Sequence, residues 1–388
     1  MRRRLLFAQA IAALATVGCG AVSCGVMDWS PDRRYVVTVW PSAAGPTVLR
    51  LVDVETGRGR VIAGSSDAVS PLWSPDQSAL VFAKARGGNG PDVYIHDPAS
   101  ASTRLLRANA LPVVWREDSA RLLTVGPESH AVCLTMPDGH PTWEARLPAD
   151  VSGTIEGSWV PDTDQVVLRI GGDLWLIEGA EPVKLTTTAD VLGFALRGGG
   201  KEVIWARKSH DSRYILLSLY ALPLKQRGSR RLPFPHRVAQ ISPSPRSGLS
   251  AIGDVVFAPN GERMVVSCRF DVGGKTAVRW YSMASDGSDA RLLTRTDLGN
   301  TPRRPSRAKD LGEALVTAMG EAWPLVVAQG LSPRFSHDGR RLALLVEGRK
   351  GRNEASLVVC NADRTGCRVV CRTGRESQPR RAARRRRP

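Results

Sequence analysis

The chain has 388 residues, 42% of them hydrophobic and 23% charged, with a formal net charge of +17. This excludes a chain that is disordered throughout and supplies enough apolar surface for a sizeable core. Arg2, Arg3 and Arg4 contribute +3, and residues 375–388, with seven Arg and one Glu, contribute +6, which leaves +8 on the body. A basic body attracts anionic surfaces nonspecifically. There is no aromatic-interleaved basic stripe and no nucleic-acid motif, so nucleic acid is not an expected partner.

Residues 1–18 read as a signal peptide. Arg2, Arg3 and Arg4 form the basic region, and the apolar run from Leu5 to Val17 ends in small residues. The run is shorter than the roughly 20 residues that span a bilayer. Thr16-Val17-Gly18-Cys19 resembles a bacterial lipoprotein signal, in which the cysteine after the cut becomes diacylated. Gly18 fits that pattern; Thr16 departs from the usual Leu, Val or Ile. Cys19 is the expected lipidation site, with Cys24, in Ala21-Val22-Ser23-Cys24, as the alternative. The chain is expected to be exported, as a membrane-anchored lipoprotein or as a periplasmic or extracellular protein. Residues 19–28 read as a linker.

From residue 29 onward the chain repeats. An aromatic followed by a turn recurs as WSPD at 29 and 73, WRED at 115, WVPD at 159, FALR at 194, FAPN at 257 and FSHD at 335. In the fifth copy Gly198-Gly199-Gly200 replaces Pro-Asp. Each turn precedes an apolar run, for example YVVTV at 35–39 and ALVFA at 79–83. A second run follows, such as DVYIHD at 92–97, then a third, such as TRLLR at 103–107 or SRRL at 229–232. The next aromatic ends a further short run, which makes about four strands per unit. Proline presets φ in the turn, and Asp or Asn caps it through its own side chain. Asp32, Asp76, Asp118, Asp162, Asn260 and Asp338 are therefore read as structural turn residues rather than ligands or acids. Four-stranded units bury their faces by stacking around an axis. The fold class expected is all-β, a β-propeller over 29–374. Seven blades are expected, or six if the unit at 194 is not a blade.

The repeat resembles that of the TolB family. The resemblance rests on WSPD, on Asp286-Gly287-Ser288 with Leu293-Thr294, on Lys184-Leu185-Thr186, and on Phe335-Ser336-His337-Asp338-Gly339. It implies an extracytoplasmic propeller that acts as a binding scaffold at the cell envelope. The N-terminal α/β domain typical of that family is not expected here, since the repeats follow directly on the segment read as a signal. Two spacings are long. Residues 231–253 are proline-rich and read as an irregular loop. In 297–331, Leu311, Leu315, Ala318 or Met319, and Ala322 fall at helical spacing and predict a short helix. The tail 375–388 is expected to be disordered, because like charges repel and there is no core for it to join.

Cys360, Cys367 and Cys371 cluster, and in an exported protein a local disulfide would pair Cys360 with Cys367 or Cys371. Cys133 and Cys268 read as buried core residues. The six histidines are scattered without metal spacing, and there is no GxSxG elbow and no phosphate-binding glycine pattern. No catalytic residue, metal site or cofactor is therefore expected, and the chain is expected not to be an enzyme. The alternative is a lyase or glycoside-active enzyme with acids in the central channel. The expected partners are another envelope protein, or a polymer or small ligand at the propeller face, with membrane attachment through the N-terminal lipid. A monomer is expected.

Overall fold

The computed structural model describes residues 27–40, 47–85, 91–126, 130–147, 155–211, 214–224, 236–241, 249–272, 275–292, 333–347, 355–362 and 366–372. These form 28 strands and no helix. The signal region, the expected helix within 297–331 and the tail 375–388 lie outside the described residues.

The second copy of the repeat shows how the unit folds. Strand β5 (Ala68–Trp73) ends on the aromatic, the turn follows, and β6 (Leu80–Ala85), β7 (Pro91–Asp97) and β8 (Ser102–Arg107) continue as an antiparallel meander. In the turn, Ser74 N–H donates to the Ala79 carbonyl at 2.9 Å and Gln77 takes φ 65°. Leu80, Val81, Phe82 and Ala83 are all fully buried. Such a run does not alternate because both of its faces pack against a neighbouring blade. That is why the sequence shows a continuous apolar stretch there rather than period two.

Seven such four-stranded sheets follow one another, over 27–61, 68–107, 111–146, 156–184, 191–241, 249–292 and 334–372. The unit at 194 is a full blade. Its β17 (Val191–Arg197) and β18 (Glu202–Asp211) are joined through Gly198, Gly199 and Gly200 at φ 62°, 67° and 83°. The blade count is therefore seven. The stretch expected to be an irregular loop, 231–253, contains β20 (His236–Ile241) and the start of β21 (Leu249–Phe257). The third run of that unit is thus β20, whereas the SRRL segment at 229–232 lies outside the described residues.

The first strands of successive blades touch one another and surround the axis: β1 (Met27–Trp29) meets β5, β5 meets β9 (Leu111–Trp115), and β1 meets β25 (Arg334–Phe335). An apolar cluster fills every junction between blades. One of them, which includes Trp29, Val36 and Val52 from blade 1 and Ala343 and Leu357 from blade 7, closes the ring. Among the described residues no strand is exchanged between blades 1 and 7, and the seam there is made by side-chain packing and by hydrogen bonds from side chains.

Three of the four repeat tryptophans add a directional bond to this packing, whereas the buried Nε1 of Trp73 has no hydrogen-bond partner among the described residues. Trp29 Nε1–H donates to the Arg334 carbonyl of blade 7 at 3.0 Å. Trp115 donates to Leu72 at 3.3 Å, and Trp159 to Val114 at 3.4 Å. In each case the acceptor is the residue just before the aromatic of the preceding blade. The indole staples one blade to the last, a role that Phe at 194, 257 and 335 cannot take. At the junction of blades 5 and 6 the backbones themselves approach. A Cβ on Gly193 would lie 1.9 Å from the Val255 carbonyl oxygen.

Candidate functional site

The two ends of the ring differ. At one end lie the turns after the first strands, with the expected turn residues. Asp76 Oδ1 accepts from Ser74 Oγ at 2.7 Å and from Ser78 N–H at 3.0 Å. Asp338 Oδ1 accepts from Ser336 Oγ at 2.6 Å and from Arg340 N–H at 3.0 Å. Asp32 accepts from Ser30 Oγ and Arg34 N–H, Asp118 from Ala120 N–H, and Asn260 from Glu262 N–H. Asp162 departs from this pattern. It takes the left-handed backbone, φ 59°, and the cap passes to Thr163, whose Oγ1 accepts from Gln165 N–H at 3.1 Å.

Neighbouring turns are also tied to one another. Arg33 pairs with Asp338 at 2.7 Å, Asp76 N–H donates to Ser119 Oγ at 2.9 Å, and Arg116 and Arg121 both reach Asp164 Oδ1 at 2.6 Å. Burial pushes Asp76 and Asp338 upward. The hydrogen bonds they accept, and for Asp338 also the Arg33 charge, outweigh burial and leave both below the usual carboxylate range. Such carboxylates are stabilised as anions and already occupied; they are poor acids and poor bases.

The opposite end, where the first strands begin, carries charges that sequence reasoning did not single out. Glu156 opens β13 (Glu156–Trp159) in blade 4, and Arg169 sits opposite it in β14 (Gln165–Ile170). Arg169 Nη2 and Nε meet the Glu156 carboxylate at 3.0 and 3.2 Å, and Nη1 donates to the Val191 carbonyl of blade 5 at 3.1 Å. Asp254 stands in β21 of blade 6. Burial raises its pKa above the ordinary value, the Glu156 charge adds to the rise, and the Arg169 charge opposes it. Charges from blades 4 and 6 thus act on one another at this end of the ring.

Beside them, Asp190 Oδ2 lies 2.9 Å from Arg207 Nε, while its buried Oδ1 has no hydrogen-bond partner. The loop that presents Asp190 is anchored by Asp173, which accepts from Thr186 Oγ1 and Ala189 N–H at 2.9 Å each and pairs with Lys184 at 2.7 Å. Glu156 and Asp254 each stand three residues before their blade's aromatic. That shared register of an acid three residues ahead of the aromatic is the signal that could have found them.

Cys360 and Cys367 are joined in a disulfide, while Cys371, in β28 (Arg368–Arg372), pairs across the sheet with Leu357. Cys133 and Cys268 are buried, and burial pushes both thiols up, Cys268 to about 12. Cys19 and Cys24 lie outside the described residues. Among the described residues, no three His, Cys, Asp or Glu side chains come together as a metal site. No described helix is long and apolar enough to cross a membrane.

No family model matches the chain, and no curated protein matches it in sequence. Solved structures do match in fold. The β-propeller domain of the Trilobed protease from Pyrococcus furiosus aligns with 88% of this chain and 93% of its own at 13% identity, TM-score 0.54. That domain is described as having an open velcro topology. An oligogalacturonate lyase in complex with manganese aligns with 87% of this chain and 89% of its own at 12% identity, TM-score 0.54. TolB from Acinetobacter baumannii aligns with 72% of this chain and 65% of its own at 15% identity, TM-score 0.40, a likeness that carries no further argument. The expectation that the chain is not an enzyme is overturned by these matches, because propellers of this shape include one from a protease and a lyase. At such identities the likeness establishes the fold alone: the chain is a seven-bladed, four-stranded β-propeller.

Proposed function

We propose that this propeller binds a polar ligand, or a segment of another envelope protein, at the end of the channel where Glu156, Arg169 and Asp254 converge. The carrying observation is that convergence. Charged groups from blades 4 and 6 act on one another at this end of the channel. The TolB-like repeat supports a scaffold role at the envelope. The Cys360–Cys367 disulfide fits an oxidising compartment, and in this reading a lipid on Cys19, or on Cys24, holds the protein at the membrane. The test is affinity capture from solubilised envelopes and on an oligosaccharide array. Arg169→Gln should lose the captured species, and Arg116→Gln, at the turn end, should keep it. Equal capture by both variants would refute the assignment.

A second reading is favoured by Asp254 alone. Two carboxyls in unlike environments, one raised by burial and one paired with arginine, are what acid–base chemistry on a sugar requires. In that reading the mouth cleaves or eliminates an acidic oligosaccharide. Oligogalacturonate, named with one structural neighbour, is the first compound to assay. Turnover that disappears in both Asp254→Asn and Glu156→Gln would establish this reading, and turnover that survives both would end it.

A further inference from the structure

We propose that the outer edge of blades 7, 1 and 2 docks the propeller edge-on against an anionic lipid bilayer. This surface lies on the circumference and is independent of any ligand at the channel mouth. It is built from the last strands of three consecutive blades, β28, β4 (Gly59–Val61) and β8. Their sequences, RVVCR, GRV and STRLLR, contain five arginines and no carboxylate. Arg60, Arg104 and Arg368 are exposed, as is Arg58 just before β4. None of these four has an ion-pair partner among the described residues. By contrast Arg116, Arg121, Arg169, Arg197 and Arg207, nearer the axis, each face a carboxylate.

The three strands form one surface. The turn before β4 packs on β28, where a Cβ on Gly57 would lie 2.5 Å from the Val370 carbonyl oxygen. Thr103 Oγ1 of β8 donates to the Ala63 carbonyl of blade 1 at 2.9 Å. The Arg60 charge reaches into blade 2. Burial is the larger cause holding the His96 pKa down, and Arg60 adds to it. The acids in the adjoining turns are few. Asp97 is engaged by Ser100 Oγ at 2.6 Å and Ala99 N–H at 2.8 Å, which leaves Glu55 as the exposed acid of the turn before β4.

Charge alone would suit any polyanion. The aliphatic side chains decide for a bilayer. Val61 is 59% exposed and Leu105 44% exposed, each beside an arginine of the belt. A polyanion would leave them in water. A bilayer surface takes the guanidinium groups at its phosphates and the aliphatic groups at the acyl boundary.

The test is co-sedimentation of the full chain with vesicles of phosphatidylglycerol and phosphatidylcholine, and with phosphatidylcholine alone. Arg60→Gln/Arg104→Gln/Arg368→Gln should lower partitioning onto the anionic vesicles by about a hundredfold, each arginine contributing about fivefold. The control Arg146→Gln/Lys201→Gln/Arg340→Gln removes the same charge elsewhere and should change it about twofold or less. The tail is present in every variant and cancels from the comparison. Val61→Ser/Leu105→Ser should weaken vesicle binding several-fold and leave heparin binding unchanged. These side chains are exposed, and the contacts that Arg104 makes with the Pro137 carbonyl and Arg340 with Asp338 lie at the surface, so the melting temperatures should change little. Equal partitioning of the test and control triples would overturn the proposal. So would a serine pair that binds vesicles as the parent does, which would assign the belt to a lipid-free polyanion.

Discussion

The two ends of this propeller use the same residue type to opposite effect. At the turn end, Asp76 and Asp338 are held as anions by hydroxyl and backbone donors a few residues away. At the other end, Asp254 is pushed toward its neutral form by burial and by Glu156, with Arg169 as the opposing charge. A carboxylate whose acceptor sites are filled locally is architecture. One desolvated beside charges contributed by another blade is available for chemistry or recognition. The difference lies in where the partners come from, which is local sequence in one case and ring closure in the other.

The sharpest way to break that comparison is to remove the closure. Trp29 is fully buried in the seam of blades 7 and 1 and donates to Arg334. Trp29→Ala should cost about 3–5 kcal/mol in denaturant unfolding. Trp29→Phe, which keeps most of the packing and loses the N–H, should cost about 1 kcal/mol. A Trp29→Phe variant as stable as the parent would mean that the staple adds nothing to the packing.

Next in size is the turn. Asp76→Ala should cost about 1–3 kcal/mol near neutral pH, since two serines and a backbone N–H lose their acceptor. The folded pKa of Asp76 is lowered, so its contribution is present above the unfolded value. It is lost as pH falls through the folded value. The cost of the substitution should therefore shrink in acid.

The smallest effect, and the one with the opposite sign, belongs to the mouth. The folded pKa of Asp254 is raised, so the folded state binds the proton more tightly. Its contribution is complete below the unfolded pKa and is lost as pH rises through the folded one. Asp254→Asn should then leave stability nearly unchanged in acid and improve it modestly in alkali. The check is a pair of pH–stability profiles, parent against variant. A variant profile parallel to the parent at all pH values would show that Asp254 titrates normally and would level the two ends of the ring.

The repeat was legible because its determinants are local. An aromatic, a proline-preset turn and an acceptor two residues before the N–H it caps lie within a few residues of one another. Even the degenerate unit could be located, since Gly198, Gly199 and Gly200 supply the positive φ that Asp or Asn manages elsewhere. Local chemistry also misled in places. Asp162 matches the motif, yet Thr163 makes the cap. Proline around 231–253 suggested a loop where β20 completes blade 5, because the prolines flank HRVAQI, whose own residues are free to pair with β19 (Tyr214–Pro223).

By itself, then, the sequence determined the element order, the repeating unit and the class of fold, since a strand–turn–strand unit is specified by contacts between near neighbours. Only the tertiary structure decided that blades 7 and 1 meet, that Trp29 is bonded to Arg334, and that Glu156, Arg169 and Asp254 share one end of the axis. Those pairs are set by how many blades complete the circle, and no local pattern of residues encodes which blades will face each other across it.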